Sequence, residues 1–166
     1  MYKRQVHPQA HGGGEVGNRL LVGPLLQNFA QMQHEHNGAW LILTIENHMD
    51  MLKMDKDLLC ELLLNLIDNA GKASPRGSMI TLVAKNNIIS VSDDGHGIPA
   101  EELHRLTEPF YMVDKARSRK QGGMGLGLAL VQEIARLHRA HLVFESEAGK
   151  GTTVKAVFEH EKEAEK

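Results

Sequence analysis

Apolar residues along this chain recur with two different periods, and Gly, Pro and Asn mark the breaks between blocks. Helical spacing runs through PLLQNFAQMQHE at 24–35, where Pro24 is tolerated in the first turn. It returns in a longer block that Asp57 is expected to cap, which extends to about Ala73 and is stopped by Pro75 and Gly77. A short helix is expected after Pro99 in AEELHRL, and a second long one from near Leu126 to His138. Strand-like runs fill the rest. LILTIE (41–46) and MLKM (51–54) flank a turn at Asn47–Asp50. MITLVA (79–84) and IISVS (88–92) flank Lys85-Asn86-Asn87, a hairpin signal. HLVFES (141–146) and TTVKAVF (152–158) form a terminal hairpin around Glu147–Gly151. Residues 1–19, including GGGEVG, carry no periodicity and read as a flexible or non-native leader, and 161–166 as a charged tail. The remainder, 20–160, is expected to be one α+β domain. Its predicted form is a two-layer sandwich with helices covering one face of a mixed, mostly antiparallel sheet.

On the helix beginning near residue 57, the polar positions are not scattered. Glu61, Asn65, Asp68, Asn69 and Lys72 fall within an arc of about 100° at helical spacing. A solvated face would account for this. Two Asn one turn apart are nevertheless poor helix formers, and oxygen-bearing side chains ending in a Lys also suit a metal–polyphosphate site. VSDDGHGIP (91–99) ends a strand in carboxylates and follows it with alternating glycines. That is either an ordinary turn or a place where backbone passes close to a flat ligand, with a carboxylate to accept from an amino group. In GGMGLGLAL, Gly123, Gly125 and Gly127 lead directly into a helix, so the motif is a hinge or an anion site at the helix start. It has neither the dinucleotide fingerprint nor the P-loop spacing. Lys115, Arg117, Arg119 and Lys120 lie just upstream, as a solvated run or a lid that closes over phosphates.

Composition removes several alternatives. The chain has 166 residues, net charge −2 and 4% aromatic residues, so neither a basic field nor a base-stacking platform points to nucleic acid. Cys60 is the single cysteine, which excludes an intrachain disulfide and a multi-cysteine zinc site. No apolar run approaches the ~20 residues of a membrane span, and LLVGPLL lacks the flanks of a signal peptide. These features fit a cytoplasmic domain without membrane contact.

Taken in order, the motifs resemble the ATP-binding catalytic domain of bacterial sensor histidine kinases, which shares the Bergerat fold with Hsp90, DNA gyrase and MutL. NLIDNAGKAS resembles the asparagine box, DDGHGIP the first glycine box, EPFY the phenylalanine box, GGMGLGLAL the second glycine box and GKGTTV the closing Gly-Thr element. The match covers roughly 24–158. The resemblance implies ATP and Mg²⁺ as cofactors. Asn65 would coordinate the metal, with Glu61 beside it and its waters. Asn69 and Lys72 would contact phosphate, so that Glu61, Asn65 and Lys72 form the catalytic set. Asp93 would bind the adenine amino group, with Gly95, Gly97 and Ile98 supporting the pocket and Thr152 assisting, often through water. Phe110 would anchor a lid whose basic stretch includes Lys115, Arg117 and Arg119. Gly123, Gly125, Leu126, Gly127 and Leu128 would form its phosphate-facing end. Two positions depart from the pattern: His96 replaces a residue that is often small, and His138-Arg139-Ala140 replaces a frequent His-Gly. A non-glycine in a left-handed helix cap there costs on the order of 1 kcal/mol.

The resemblance also implies a partner, a dimerisation domain bearing the acceptor histidine, and through it a response regulator. A two-helix acceptor hairpin needs roughly 60 residues, and 23 precede the first expected helix, so the acceptor is expected outside this chain. His34-Glu35 has the acceptor dipeptide but not its usual continuation. The remaining histidines are expected at the surface or at helix ends, and Cys60 in the core. Two other functions suit the same fold: a stand-alone serine kinase of the anti-sigma type, and a regulatory module that holds ATP without transferring it.

Overall fold

The computed structural model describes residues 54–114 and 124–159 in full, together with the backbone of four strands at 19–20, 35–36, 39–45 and 52–53. The expected leader up to residue 18, the helix over 24–34, the Asn47–Asp50 turn, the basic stretch at 115–120, Gly123 and the tail lie outside the described residues.

Strands β1 (Arg19–Leu20) and β4 (Leu52–Lys53) pair with each other. The others are β2 (Glu35–His36), β3 (Ala39–Ile45), β5 (Met79–Lys85), β6 (Ile88–Asp93), β7 (Ala140–Glu147) and β8 (Gly151–Phe158). They form one six-stranded sheet in the order β2-β3-β5-β6-β8-β7. Among the described strands only β3 and β5 run parallel and the other pairs are antiparallel, as expected for a mixed, mostly antiparallel sheet. Three local expectations need correction. The strand at 52–53 does not return beside β3, because β5 takes that edge in parallel after a helical crossover. Glu35, placed at the end of the first helix, opens β2 instead. The cap of the long helix α1 (Lys56–Ala73) is Asp55 rather than Asp57. Asp55 is extended and its carboxylate accepts from the N–H groups of Asp57 and Leu58, leaving Asp57 as an acid in the first turn.

The hairpin between β5 and β6 turns on Asn86 and Asn87, both with positive φ (49° and 58°), the geometry that a two-residue loop with matching twist requires. A short 3-10 helix (Ala100–Arg105) follows Pro99, and α2 (Gly127–Leu137) leads into the terminal hairpin. One core lies between α1, α2 and the sheet. Leu59, Leu62, Leu66, Val131 and Ile134 from the helices meet Leu82, Ile89, Val91 and Ala156 from the strands. The opposite face of β6, β7 and β8 carries polar pairs, including Ser92 with Thr153 and Glu145 with Lys155. The helices therefore cover one face. His138 fastens the layer: its Nδ1–H donates to the Ile134 carbonyl (2.7 Å) and its Nε2 accepts from the Asp55 N–H (3.1 Å), joining the end of α2 to the cap of α1. No described helix is long and apolar enough to cross a membrane.

Candidate functional site

The site begins where the strand alternation runs out of apolar residues. On β6 the buried positions are Ile89 and Val91, and the next residue on that face is Asp93. Its neighbours across the sheet are Thr152 on β8 and, beyond it, Ser146 on β7, so an acidic and hydroxylic row continues the core's own rows. Burial pushes the Asp93 carboxyl above its ordinary value. Backbone N–H donors from Gly95 and Thr152, and the charge of His96, oppose that rise without cancelling it.

The loop after Asp93 is tied back onto the β7–β8 turn. Gly95 N–H donates to Asp93 Oδ1 (2.8 Å), Ile98 N–H to Ser146 Oγ (2.8 Å), and Gly149 N–H to the His96 carbonyl (2.7 Å). Gly97 must be glycine: its φ is +64°, and a Cβ would lie 1.9 Å from the Glu147 carbonyl oxygen.

The helical wall comes from the polar stripe of α1. Asn65 Nδ2 donates to the Glu61 carbonyl (2.8 Å) and to Glu61 Oε1 (3.2 Å), which leaves Asn65 Oδ1 turned toward the start of α2. There the backbone of Gly127 comes so close that a Cβ would sit 2.9 Å from that oxygen. Among the described residues no side chain caps α2, which leaves its first N–H groups open to a ligand. Lys72 lies 2.5 Å from Asp68, one turn away on the same stripe.

Between these walls lies a cavity of about 410 Å³. Of the residues expected from the sequence, Asn65, Asn69, Lys72, Asp93, Ile98 and Thr152 line it, as do Gly125, Leu126, Gly127 and Leu128. Glu61, Gly95 and Gly97 do not line it; they hold residues that do. Phe110 is 69% exposed with φ +65°, and it reaches the site through its N–H to the Gly125 carbonyl (2.9 Å) rather than its ring. Lys115, Arg117, Arg119 and Gly123 lie outside the described residues.

Other contributors were not anticipated as site residues. His96 and Phe144 line the cavity directly. Tyr111 lines it too, with the Arg105 guanidinium stacked 4.0 Å from its ring centre and paired with Glu108. Ser146 supports it from β7, and the alternation within HLVFES itself puts Ser146 on the face of Phe144.

The arrangement is a slot with carboxylate and hydroxyl groups at one end and Asn oxygen, Lys and open helix N–H groups at the other. Comparison with known proteins gives that slot a family. Residues 54–162 match the family described as histidine kinase-, DNA gyrase B-, and HSP90-like ATPase. The chain belongs to that family. Among relatives, it is 33% identical to the sensor histidine kinase WalK of Bacillus subtilis (strain 168), over 87% of this chain and 29% of WalK. It is 38% identical to the sensor histidine kinase YkoH of the same organism, over 71% of this chain and 26% of YkoH. The chain thus spans less than a third of the length of these relatives. The solved structure of the mycobacterial sensor histidine kinase MprB has the same fold, with a TM-score of 0.66 at 22% identity over 83% of this chain and 93% of that one.

Proposed function

We propose that this chain is the ATP-binding catalytic domain of a sensor histidine kinase and donates the γ-phosphoryl group of ATP to a histidine on a separate dimerisation domain. The observation that carries the reading is the pairing, in one slot, of the Asp93–Thr152 row with the Asn65–Gly127 approach. Adenine fits the first end, where a desolvated carboxylate accepts from an exocyclic amine. The triphosphate fits the second, beside Asn69, Lys72 and the open start of α2.

The donor set also fits Mg²⁺. Among the described residues, no three His, Cys, Asp or Glu side chains gather as a metal site. A hard cation held by one Asn oxygen, substrate phosphates and water is the arrangement Mg²⁺ favours. Asn65 would hold it through Oδ1, and Glu61 would fix the Asn65 amide and reach the metal's waters. Bound there, the ion would neutralise phosphate charge. The protein's own contribution is positioning, which is what phosphoryl transfer chiefly requires. The P–O bond to the leaving ADP breaks as the acceptor imidazole nitrogen bonds to phosphorus.

The outer surface of α2 supports a helical partner for this transfer. Leu126, Leu130 and Leu137 are exposed and fall within about 40° of one another around the helix axis, and Phe110 is bonded to its N-terminal end. The same reading puts the domain in the cytoplasm, where ATP is available, with a response regulator receiving the phosphoryl group afterwards.

The test is incubation with γ-labelled ATP and a purified dimerisation hairpin from a sensor kinase. Mg²⁺-dependent, acid-labile and alkali-stable label on the hairpin is expected, with none on the chain alone. Acid-stable label on serine would instead favour an anti-sigma-type kinase. ATP binding without transfer to any acceptor would favour a regulatory module.

A further inference from the structure

The hydroxyl of Ser146 has more partners than a single side-chain oxygen can serve in more than one way. Its Oγ lies 2.8 Å from the Gly151 carbonyl, 2.8 Å from the Ile98 amide nitrogen and 2.9 Å from Thr152 Oγ1. A carbonyl can only accept and an amide N–H can only donate, and a hydroxyl offers one proton and two lone pairs. Ser146 therefore gives its proton to Gly151 and uses one lone pair on Ile98. The second lone pair is all that remains for Thr152, so the Thr152 hydroxyl must donate to Ser146. Thr152 is 8% exposed and lines the slot beside Asp93, and its proton is turned away from the cavity.

We infer that Ser146, which does not itself line the cavity, is a specificity-positioning residue that fixes Thr152 as an acceptor only, so that the base end of the slot presents acceptors from both Asp93 and Thr152. Such a surface pairs with an amino group, directly or through a donating water, and opposes a carbonyl oxygen at the same place on the base. Ser146 thus sharpens the preference for a 6-amino over a 6-oxo purine beyond what the Asp93 carboxylate provides. The inference rests on the proposal that the base of ATP lies at Asp93. Its specific content is the direction of one proton. In Ser146→Ala the Thr152 hydroxyl is free to rotate and donate into the slot, where it can meet a 6-oxo group.

The test compares ATP with inosine triphosphate, which differs at the 6-position and the adjacent ring nitrogen, by competition against a fluorescent nucleotide on the full chain. Wild type is expected to prefer ATP. In Ser146→Ala that preference should fall about five- to tenfold, the scale of one neutral hydrogen bond, with ATP affinity itself falling only a few-fold. Thr152→Val removes the hydroxyl and should erode the preference to a similar extent, and adding Ser146→Ala to it should change the ratio no further. A purely structural role for Ser146 would weaken both nucleotides equally and keep the ratio, and that result overturns the inference. If Ser146→Ala does not fold, an unchanged ratio in Thr152→Val overturns it equally. Failure of wild type to bind ATP, or equal binding of both nucleotides, would instead refute the placement of the base at Asp93, and is read in the wild-type arm alone.

Discussion

Asp93→Asn separates the functional role of this carboxylate from its structural cost. The side chain sits at the end of a core strand, and burial outweighs the donors from Gly95 and Thr152, so its pKa is raised above the ordinary 3.8. A carboxyl whose folded pKa is raised binds its proton more tightly when folded. Its contribution to stability therefore declines as pH rises through the window between 3.8 and the raised value, and at neutral pH the buried anion is a liability. Asn keeps an oxygen for the Gly95 N–H and removes the charge, so the melting temperature should hold or rise. Binding should move the other way. The substitution replaces a charge-assisted hydrogen bond to the adenine amine, worth about 1.5–3 kcal/mol, by a weaker neutral one. The difference, about 1–1.5 kcal/mol, corresponds to a loss of roughly five- to tenfold in ATP affinity. Wild-type affinity should also weaken as pH falls through the raised value, the opposite slope to this group's effect on stability. Nucleotide titration and thermal unfolding over pH 4–8 check both signs. Unchanged affinity would refute the adenine assignment, and a clear fall in melting temperature would show that Asp93 is retained for the fold.

Three further substitutions probe other joints. Gly127→Ala places a methyl 2.9 Å from Asn65 Oδ1, so Mg²⁺-dependent ATP binding should fall about tenfold while denaturant stability changes by less than about 1 kcal/mol, since Ala suits a helix. Arg139 closes α2 with φ +53°, and Arg139→Gly should raise stability by about 1 kcal/mol in urea titrations without altering nucleotide affinity. His138→Ala removes both links between Asp55 and Ile134 in a buried setting, and urea unfolding should show a loss of about 2–3 kcal/mol.

Much of this architecture was legible because it is local. The period-2 runs of β5 to β8 and the Asn-Asn turn depend on neighbours within a few residues, and these elements fall where the pattern put them. The polar stripe on α1 was also visible, because helical spacing brings Asn65, Asn69 and Lys72 to one face whatever they meet there. The antiparallel pairing of β1 with β4 and the parallel pairing of β3 with β5 were not legible, because each joins segments far apart in sequence and is decided by packing along the whole chain. His138 shows the same limit. It lies at a helix end as expected, but the sequence did not show that both ring nitrogens are engaged by backbone groups, one of them 83 residues away in sequence.

The cap of α1 explains why the two halves of the slot hold their positions. Asp55 binds the first N–H groups of α1 through its carboxylate, and its own N–H is held by His138 at the end of α2. The helix that carries Asn65 and the helix whose start approaches Asn65 are therefore joined at the end remote from the ligand. At the ligand end, among the described residues, the start of α2 comes close to Asn65 at the glycine contact. A closed joint at one end and a side-chain-free approach at the other keep the helices in fixed register while leaving the α2 N–H groups accessible. Loss of the His138 link should thus affect stability first, whereas loss of the glycine approach should affect nucleotide binding first. Proportional losses of stability and binding in both variants would refute that division.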